Sequence, residues 1–322
     1  MVLKKSVLVT GASGFIGSFL CKRLLHEDLK VRGTLLPSED PSVLVKGVEP
    51  ITVESLGLNT DWNHALEGVD TVIHLAARVH IMDDKAAEPL TEYRRVNVEG
   101  TTQLARESVK AGVKRLVFIS SIKVNGEEKS VPYTENSPPN PTDPYGISKW
   151  EAEQALRKIE SETGLDIVIL RPTLVYGPGV KANFYNMMKI IDLKIPLPLA
   201  SIKNKRSFIY VGNLVDAIVV STMHSAAAGQ TYFVSDNNDV STPDLICMMS
   251  TAFGVAVCLI PVPESLLRFV AILTGKSKPM NRLIGSLTVD TSKIRRELEW
   301  KPPYTMEMGL LDTVSWFKNA SN

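Results

Sequence analysis

Eight residues near the start, Thr10-Gly11-Ala12-Ser13-Gly14-Phe15-Ile16-Gly17, limit what this chain can fold into more than any other stretch. They follow a short β-branched and leucine run at 7–9 and open a helical pattern carried by Phe19, Leu20, Leu24 and Leu25. Strand, glycine turn and helix, in that order, form the setting in which the three glycines act together. Gly11 can take a positive φ, Gly14 lets backbone approach a pyrophosphate, and Gly17 lets the helix lie close to the strand. The helix N-terminus then offers N–H groups and the positive end of its dipole to phosphate. A dinucleotide site is the expectation.

Its phosphate state stays open at this point. An acidic residue at the end of the second strand selects the ribose hydroxyls, and an arginine favours a 2′-phosphate. Leu35 and Leu36 occupy that end here, with Arg32, Glu39 and Asp40 near enough to take either part. NAD is the expected cofactor, with NADP not excluded.

Apolar runs recur at 31–36, 71–75, 116–119 and 167–170, with helical stretches between several of them, notably 100–111 and 148–162. This alternation predicts an α/β fold, a Rossmann-type doubly wound parallel sheet wrapped by helices. After Arg171-Pro172 the texture changes, with Pro178, Pro196 and Pro198, a Met-rich helix around 187–191, and a short strand at Ile209-Tyr210-Val211. The expected division is a dinucleotide-binding domain over 1–175, with a return segment near 206–236, and a smaller, interleaved substrate lobe over 176–322.

Composition removes several other classes. Of the 322 residues, 44% are apolar and 22% charged, which is incompatible with disorder. The net charge of +1 leaves no global field for nucleic acid. Cys21, Cys247 and Cys258 lack any ligand spacing, so no metal site is expected, and they read as reduced, mostly buried thiols of a cytoplasmic protein. Three glycines and Arg23 interrupt the apolar start, which excludes a secretion signal. The run at 266–273 carries Arg268 and falls far short of the roughly 18 apolar residues of a spanning helix. No membrane insertion is expected, and the stretch 265–274 reads as a core or dimer helix.

Pro144-Tyr145-Gly146-Ile147-Ser148-Lys149 places Tyr145 and Lys149 at i, i+4 on one helical face. A phenol is a poor base at neutral pH, but an ammonium nearby stabilises its phenolate. Tyr145 is thereby a candidate proton shuttle to a sugar hydroxyl. The strand at 116–119 ends in Ser120-Ser121, at the carboxyl edge where such sheets bind ligands, so a serine there can hydrogen-bond the same oxygen.

Together these residues resemble the extended short-chain dehydrogenase/reductase family, in its nucleotide-sugar branch of 4-epimerases and 4-keto reductases. Further matching segments are Val72-Ile73-His74-Leu75-Ala76-Ala77, Val96-Asn97-Val98-Glu99-Gly100-Thr101, Val175-Tyr176-Gly177-Pro178-Gly179, Arg206-Ser207-Phe208-Ile209-Tyr210-Val211 and Glu299-Trp300-Lys301-Pro302. The resemblance implies Tyr145 as acid/base, Lys149 holding the nicotinamide ribose and depressing the tyrosine pKa, and Ser121 hydrogen-bonding the reacting oxygen. It implies Gly11, Ser13, Gly14, Phe15, Ile16, Gly17, Leu75, Ala76, Ala77 and Pro172 along the cofactor. Asn97 takes a structural part, while Asn183 and Arg206 take the diphosphate of a UDP-sugar. Arginine suits that role through bidentate contact with phosphate oxygens. A homodimer paired through two helices per subunit is implied as well.

Departures from the family pattern narrow the chemistry. Dehydratases of this branch carry Asp-Glu after the catalytic Ser or Thr, whereas Ser121 is followed by Ile122-Lys123, which excludes 5,6-dehydration by that mechanism. Val124-Asn125-Gly126 stands for the usual Val-Tyr-Gly, and Ser55 stands where an adenine-contacting Asp is usual. The segment 121–127 is similar to bacterial enzymes of surface-polysaccharide sugar synthesis. A carbon-4 epimerase of a UDP-hexose or UDP-N-acetylhexosamine is the leading expectation. A UDP-4-keto-6-deoxy-sugar 4-reductase, a lipid-linked sugar substrate and a non-catalytic dinucleotide sensor are the alternatives.

Overall fold

A computed structural model describes residues 5–79, 88–129 and 131–321. Its strands are β1 (Ser6–Thr10), β2 (Lys30–Leu35), β3 (Glu49–Thr52), β4 (Thr71–His74), β5 (Arg115–Ile119), β6 (Asp166–Pro172), β7 (Leu174–Tyr176), β8 (Phe208–Tyr210) and β9 (Thr231–Val234). Seven of them form one parallel sheet in the order β3-β2-β1-β4-β5-β6-β9, while β7 and β8 pair separately, also in parallel. The helices are α1 (Phe15–His26), α2 (Asn63–Leu66), α3 (Pro89–Tyr93), α4 (Gly100–Lys110), α5 (Pro144–Thr163), α6 (Ala182–Asp192), α7 (Val211–Met223), α8 (Thr242–Phe253), α9 (Glu264–Leu273), α10 (Ser277–Ile284), α11 (Ser292–Glu297) and α12 (Met306–Ser321).

The period of two along each strand divides the core into two layers, as a sheet covered on both faces requires. Val7, Val9, Val117, Ile119, Val168 and Leu170 face one layer with Leu20 and Leu24 of α1, Leu214 and Ile218 of α7, and Leu310 of α12. Leu8, Leu116, Phe118, Ile167 and Ile169 face the other, with Leu104 of α4 and Leu156 and Ile159 of α5. Strand order reverses on either side of β1, since β2 and β3 extend one way and β4, β5, β6 and β9 the other. The carboxyl ends of the strands at that reversal form the crevice in which open α/β sheets bind ligands.

Two expectations are corrected here. Cys21 is buried, but Cys247 and Cys258 are exposed. α8 turns Leu245, Ile246, Met249 and Ser250 inward, which leaves Cys247 on its outer side. Of the two readings of 265–274, core or dimer helix, the first is corrected: in α9 only Leu267 and Ala271 are buried, while Leu266, Phe269, Val270, Ile272 and Leu273 are exposed.

Candidate active site

The turn after β1 has room for backbone and for nothing more. Gly11 sits at φ +71°, and a Cβ there would lie 3.0 Å from the Ala76 nitrogen. A Cβ on Gly17 would lie 2.1 Å from the Gly11 oxygen, so the first turn of α1 is pressed against the loop that precedes it. Gly14, the N-cap of α1, makes no side-chain cap, and the helix carries no acidic residue in its first turn. Its leading N–H groups are therefore not capped by a side chain of their own helix, and the pyrophosphate of a dinucleotide fits this cradle.

Glu39 is the charged residue that joins the turn. Its carboxylate accepts the Ser13 hydroxyl at 2.6 Å and the Leu36 N–H at 2.8 Å. The other two candidates are engaged elsewhere. Arg32 is buried and donates to the Glu67 carbonyl and to Glu49, and Asp40 accepts the N–H of Ser42. Leu75, Ala76 and Ala77 leave β4 beside the turn, with the Ala76 N–H donating to the Thr10 hydroxyl at 3.2 Å. Pro172 ends β6, buried, opposite Val234 of β9.

On the β5 side, Asp143 starts α5 by accepting the Gly146 N–H at 2.7 Å, which puts half-buried Tyr145 in the first turn and Lys149 in the second. Lys149 is 2% exposed. Its Nζ donates to the Ile119 carbonyl at 2.8 Å and lies 4.4 Å from the Phe118 ring centre and 6.0 Å from that of Tyr145. Burial pushes its ammonium down to about 7, with Glu153 opposing. Ser121, the second residue past β5, accepts the Lys123 N–H at 3.3 Å and lies close enough to the Tyr145 phenol to lower its pKa. Ser121, Tyr145 and Lys149 are thus brought together at the carboxyl end of β5.

The phenol departs from expectation. Burial raises Tyr145 well above the usual range, the nearby Asp143 and Tyr93 raise it further, and the bond to Ser121 only partly opposes them. Lys149 stands 6.0 Å from the Tyr145 ring centre, with its ammonium turned to the Ile119 carbonyl and its own charge disfavoured by burial. The i, i+4 spacing predicts a lowering influence from Lys149, and burial acts on the phenol in the opposite direction.

A buried polar frame holds these groups. Asn97 accepts the Arg78 N–H at 2.8 Å and donates to the Ser148 hydroxyl at 2.9 Å, tying the segment after β4 to α5. It lies in a wide helical turn, Arg94–Glu99, a form of helix that recurs near functional sites. Glu153, one turn beyond Lys149, pairs with Arg171 of β6 and accepts the Ser120 hydroxyl. Arg171 also donates to Asn125 at 3.0 Å, so the residue that replaces the family's tyrosine serves in the frame. Glu153 was not singled out in sequence, although it continues the i, i+4 face of Tyr145 and Lys149.

In the C-terminal part, Arg206 is half-buried, bridged by backbone to Val240 and Leu287, and its Nη1 donates to the Gly285 carbonyl at 3.0 Å. Burial lowers its pKa, Glu127 and Glu128 oppose that, and Arg282 lowers it further. Arg282 itself reaches Glu127 at 3.2 Å, making a second cation in this corner that sequence reading did not select. Asn183 stands exposed in the first turn of α6 and makes no hydrogen bond to the other candidates among the described residues. Arg206→Ala is expected to raise KM for a nucleotide sugar about tenfold or more with little change in kcat, because a diphosphate contact is made in ground and transition states alike. Steady-state kinetics check this; a fall confined to kcat would remove the diphosphate assignment.

The profile of the NAD dependent epimerase/dehydratase family matches residues 7–235. A Vibrio cholerae protein named UDP-glucose 4-epimerase is 42% identical over 326 residues, covering 99% of this chain and 98% of that protein. An Escherichia coli O157:H7 protein named N-acetyl-alpha-D-glucosaminyl-diphospho-ditrans,octacis-undecaprenol 4-epimerase is 29% identical over 328 residues, covering 98% and 96%. The crystal structure of UDP-glucuronic acid 4-epimerase from Bacillus cereus in complex with NAD superposes with a TM-score of 0.79, at 24% identity, covering 98% of this chain and 100% of that one. At that identity the likeness is one of fold.

Proposed function

The chain belongs to the NAD dependent epimerase/dehydratase family, and from that premise we propose that it is an NAD-dependent carbon-4 epimerase of a UDP-hexose or UDP-N-acetylhexosamine. The observation that carries this reading is the 42% identity, over nearly the full length of both chains, to a protein named UDP-glucose 4-epimerase. The site chemistry supports it. On this reading Tyr145 takes the proton of the 4-hydroxyl and returns it, and Ser121, near the phenol, steadies the same oxygen. A bound NAD supplies a hydride store for carbon 4 and, in its oxidised form, a positive charge. Since burial raises the phenol, proton removal by Tyr145 needs a cation close by, and Lys149 is the chain's own source of one.

Gly11, Ser13, Gly14, Phe15, Ile16 and Gly17 would hold the pyrophosphate side of the dinucleotide, Leu75, Ala76, Ala77 and Pro172 would line it, and Lys149 would hold the nicotinamide ribose. Glu39 favours NAD over NADP, because its carboxylate at the glycine turn attracts ribose hydroxyls and repels a 2′-phosphate. Arg206 and Asn183 would take the diphosphate of the UDP-sugar. The same reading makes the protein a cytoplasmic homodimer that serves surface-polysaccharide synthesis.

An epimerase must return hydride within one binding event, so its dinucleotide stays on the protein. Denaturing the freshly purified protein is expected to release close to one NAD per chain, identified and quantified by chromatography. Protein that comes off purification empty, and fills reversibly with NADPH or NADH, would instead indicate net reduction of a 4-keto sugar.

A further inference from the structure

α9 is apolar on both of its faces. Leu267 and Ala271, one turn apart, pack inward, and the helix lies against α10. Leu266, Phe269, Val270 and Leu273 recur at i, i+3, i+4 and i+7 on the outside, with Ile272 beside them, and are 50%, 57%, 47%, 70% and, for Ile272, 68% exposed. The segment leading into α9 adds to this surface. Ile260 is 44% exposed and pairs by backbone with Leu197, next to exposed Ile195 and Leu193. Clustered large side chains of this kind mark a binding surface.

Charge indicates what binds there. Residues 254–289 contain Arg268, Lys276, Lys278 and Arg282; Arg268 pairs with Glu264, the one acidic residue of this stretch, and Arg282 pairs with Glu127, so the lysines at 276 and 278 carry the surplus positive charge in a chain whose total is only +1. Lys194 adds an exposed cation beside Ile195. Lysine and arginine stems extend along apolar surface while their heads reach phosphate, which suits the boundary between headgroups and acyl chains. Size argues against a second copy as occupant. A helix of ten residues is about 15 Å long, and alone it falls short of the ~800 Å² per partner that a stable dimer buries. No helix among the described residues is long and apolar enough to cross a membrane, so this one would lie in the interface.

We propose that the outer face of α9, with its basic flanks, docks the protein on the surface of an anionic lipid bilayer. α10, which packs on α9, carries Arg282 and leads to Gly285, the residue that Arg206 contacts. Docking therefore presents this corner of the molecule to the membrane surface, whatever sugar the site turns over. The inference stands on α9 and its surroundings and is independent of the reaction assigned above.

Flotation with extruded vesicles tests it. Wild-type protein is expected to float with vesicles of phosphatidylethanolamine and phosphatidylglycerol and to remain behind with phosphatidylcholine alone. Phe269→Ser with Leu273→Ser should lower the floated fraction about tenfold or more, since two large apolar side chains lose their burial. Lys276→Glu should lower it less, and added salt should mimic that loss. Far-UV circular dichroism and the midpoint of thermal unfolding should stay at the wild-type values in both variants, which shows that they fold. Wild-type protein that floats with neither lipid, or a double variant that floats as well as wild type, would overturn the proposal. So would a concentration-dependent oligomer, seen by sedimentation, that the double variant abolishes while no lipid binding is found.

Discussion

Tyr145→Phe lowers kcat by about 10²–10⁴-fold and leaves bound NAD close to the wild-type amount. The substitution removes one oxygen and keeps the ring, so the edge contact with Tyr93, 6.3 Å between ring centres, and the helix start at Asp143 are preserved. What is lost is the phenolic hydroxyl near Ser121. Because the phenol is raised by its surroundings, sugar oxidation by the wild type should accelerate as pH rises toward the phenol's range, and this rise should vanish in Tyr145→Phe. Turnover near the wild-type level in the variant would assign the proton to another group.

The largest effect on stability is expected at Glu153. Its carboxylate is 2% exposed, Arg171 is 4% exposed, and the pair also anchors Ser120 and Asn125. Glu153→Ala leaves a guanidinium buried without its counter-charge, a change that costs about 3–5 kcal/mol. Urea unfolding should show a correspondingly lower midpoint. Replacing both partners with apolar residues, Glu153→Leu with Arg171→Met, should recover part of that loss, because the buried guanidinium is removed with its counter-charge while Lys149, Ser120 and Asn125 still lose a partner. A single variant as stable as wild type would mean that water reaches Arg171. The kinetic effect should follow the structural one, since Ser120 adjoins Ser121 and Glu153 adjoins Lys149 along α5.

What could be read from the chain alone was local. The glycine turn is legible because a helix must start within a few residues of a strand, and Gly17 shows why, with no space for a Cβ against Gly11. Tyr145 and Lys149 are legible because four residues make one helical turn. Their protonation was not, because it depends on depth: Lys149 lies beneath Phe118 with its ammonium on the Ile119 carbonyl, and spacing carries no information about that. Glu39 could not be separated from Arg32 and Asp40 until β2 and the loop after it were placed against Ser13. α9 shows the same limit. Its apolar residues are plain in sequence, but which of two apolar stripes is covered is decided by what packs on it.

The central claim is interconversion at carbon 4 without net redox change. Proton NMR of UDP-glucose, and separately of UDP-N-acetylglucosamine, incubated with the purified protein and no added nucleotide tests it most directly. Signals of the 4-epimer of at least one of them should appear and grow to a constant ratio, with no oxidised or reduced sugar accumulating. Spectra that stay unchanged for both, while a UDP-4-keto-6-deoxy sugar is consumed one for one with added NADPH or NADH, would contradict it.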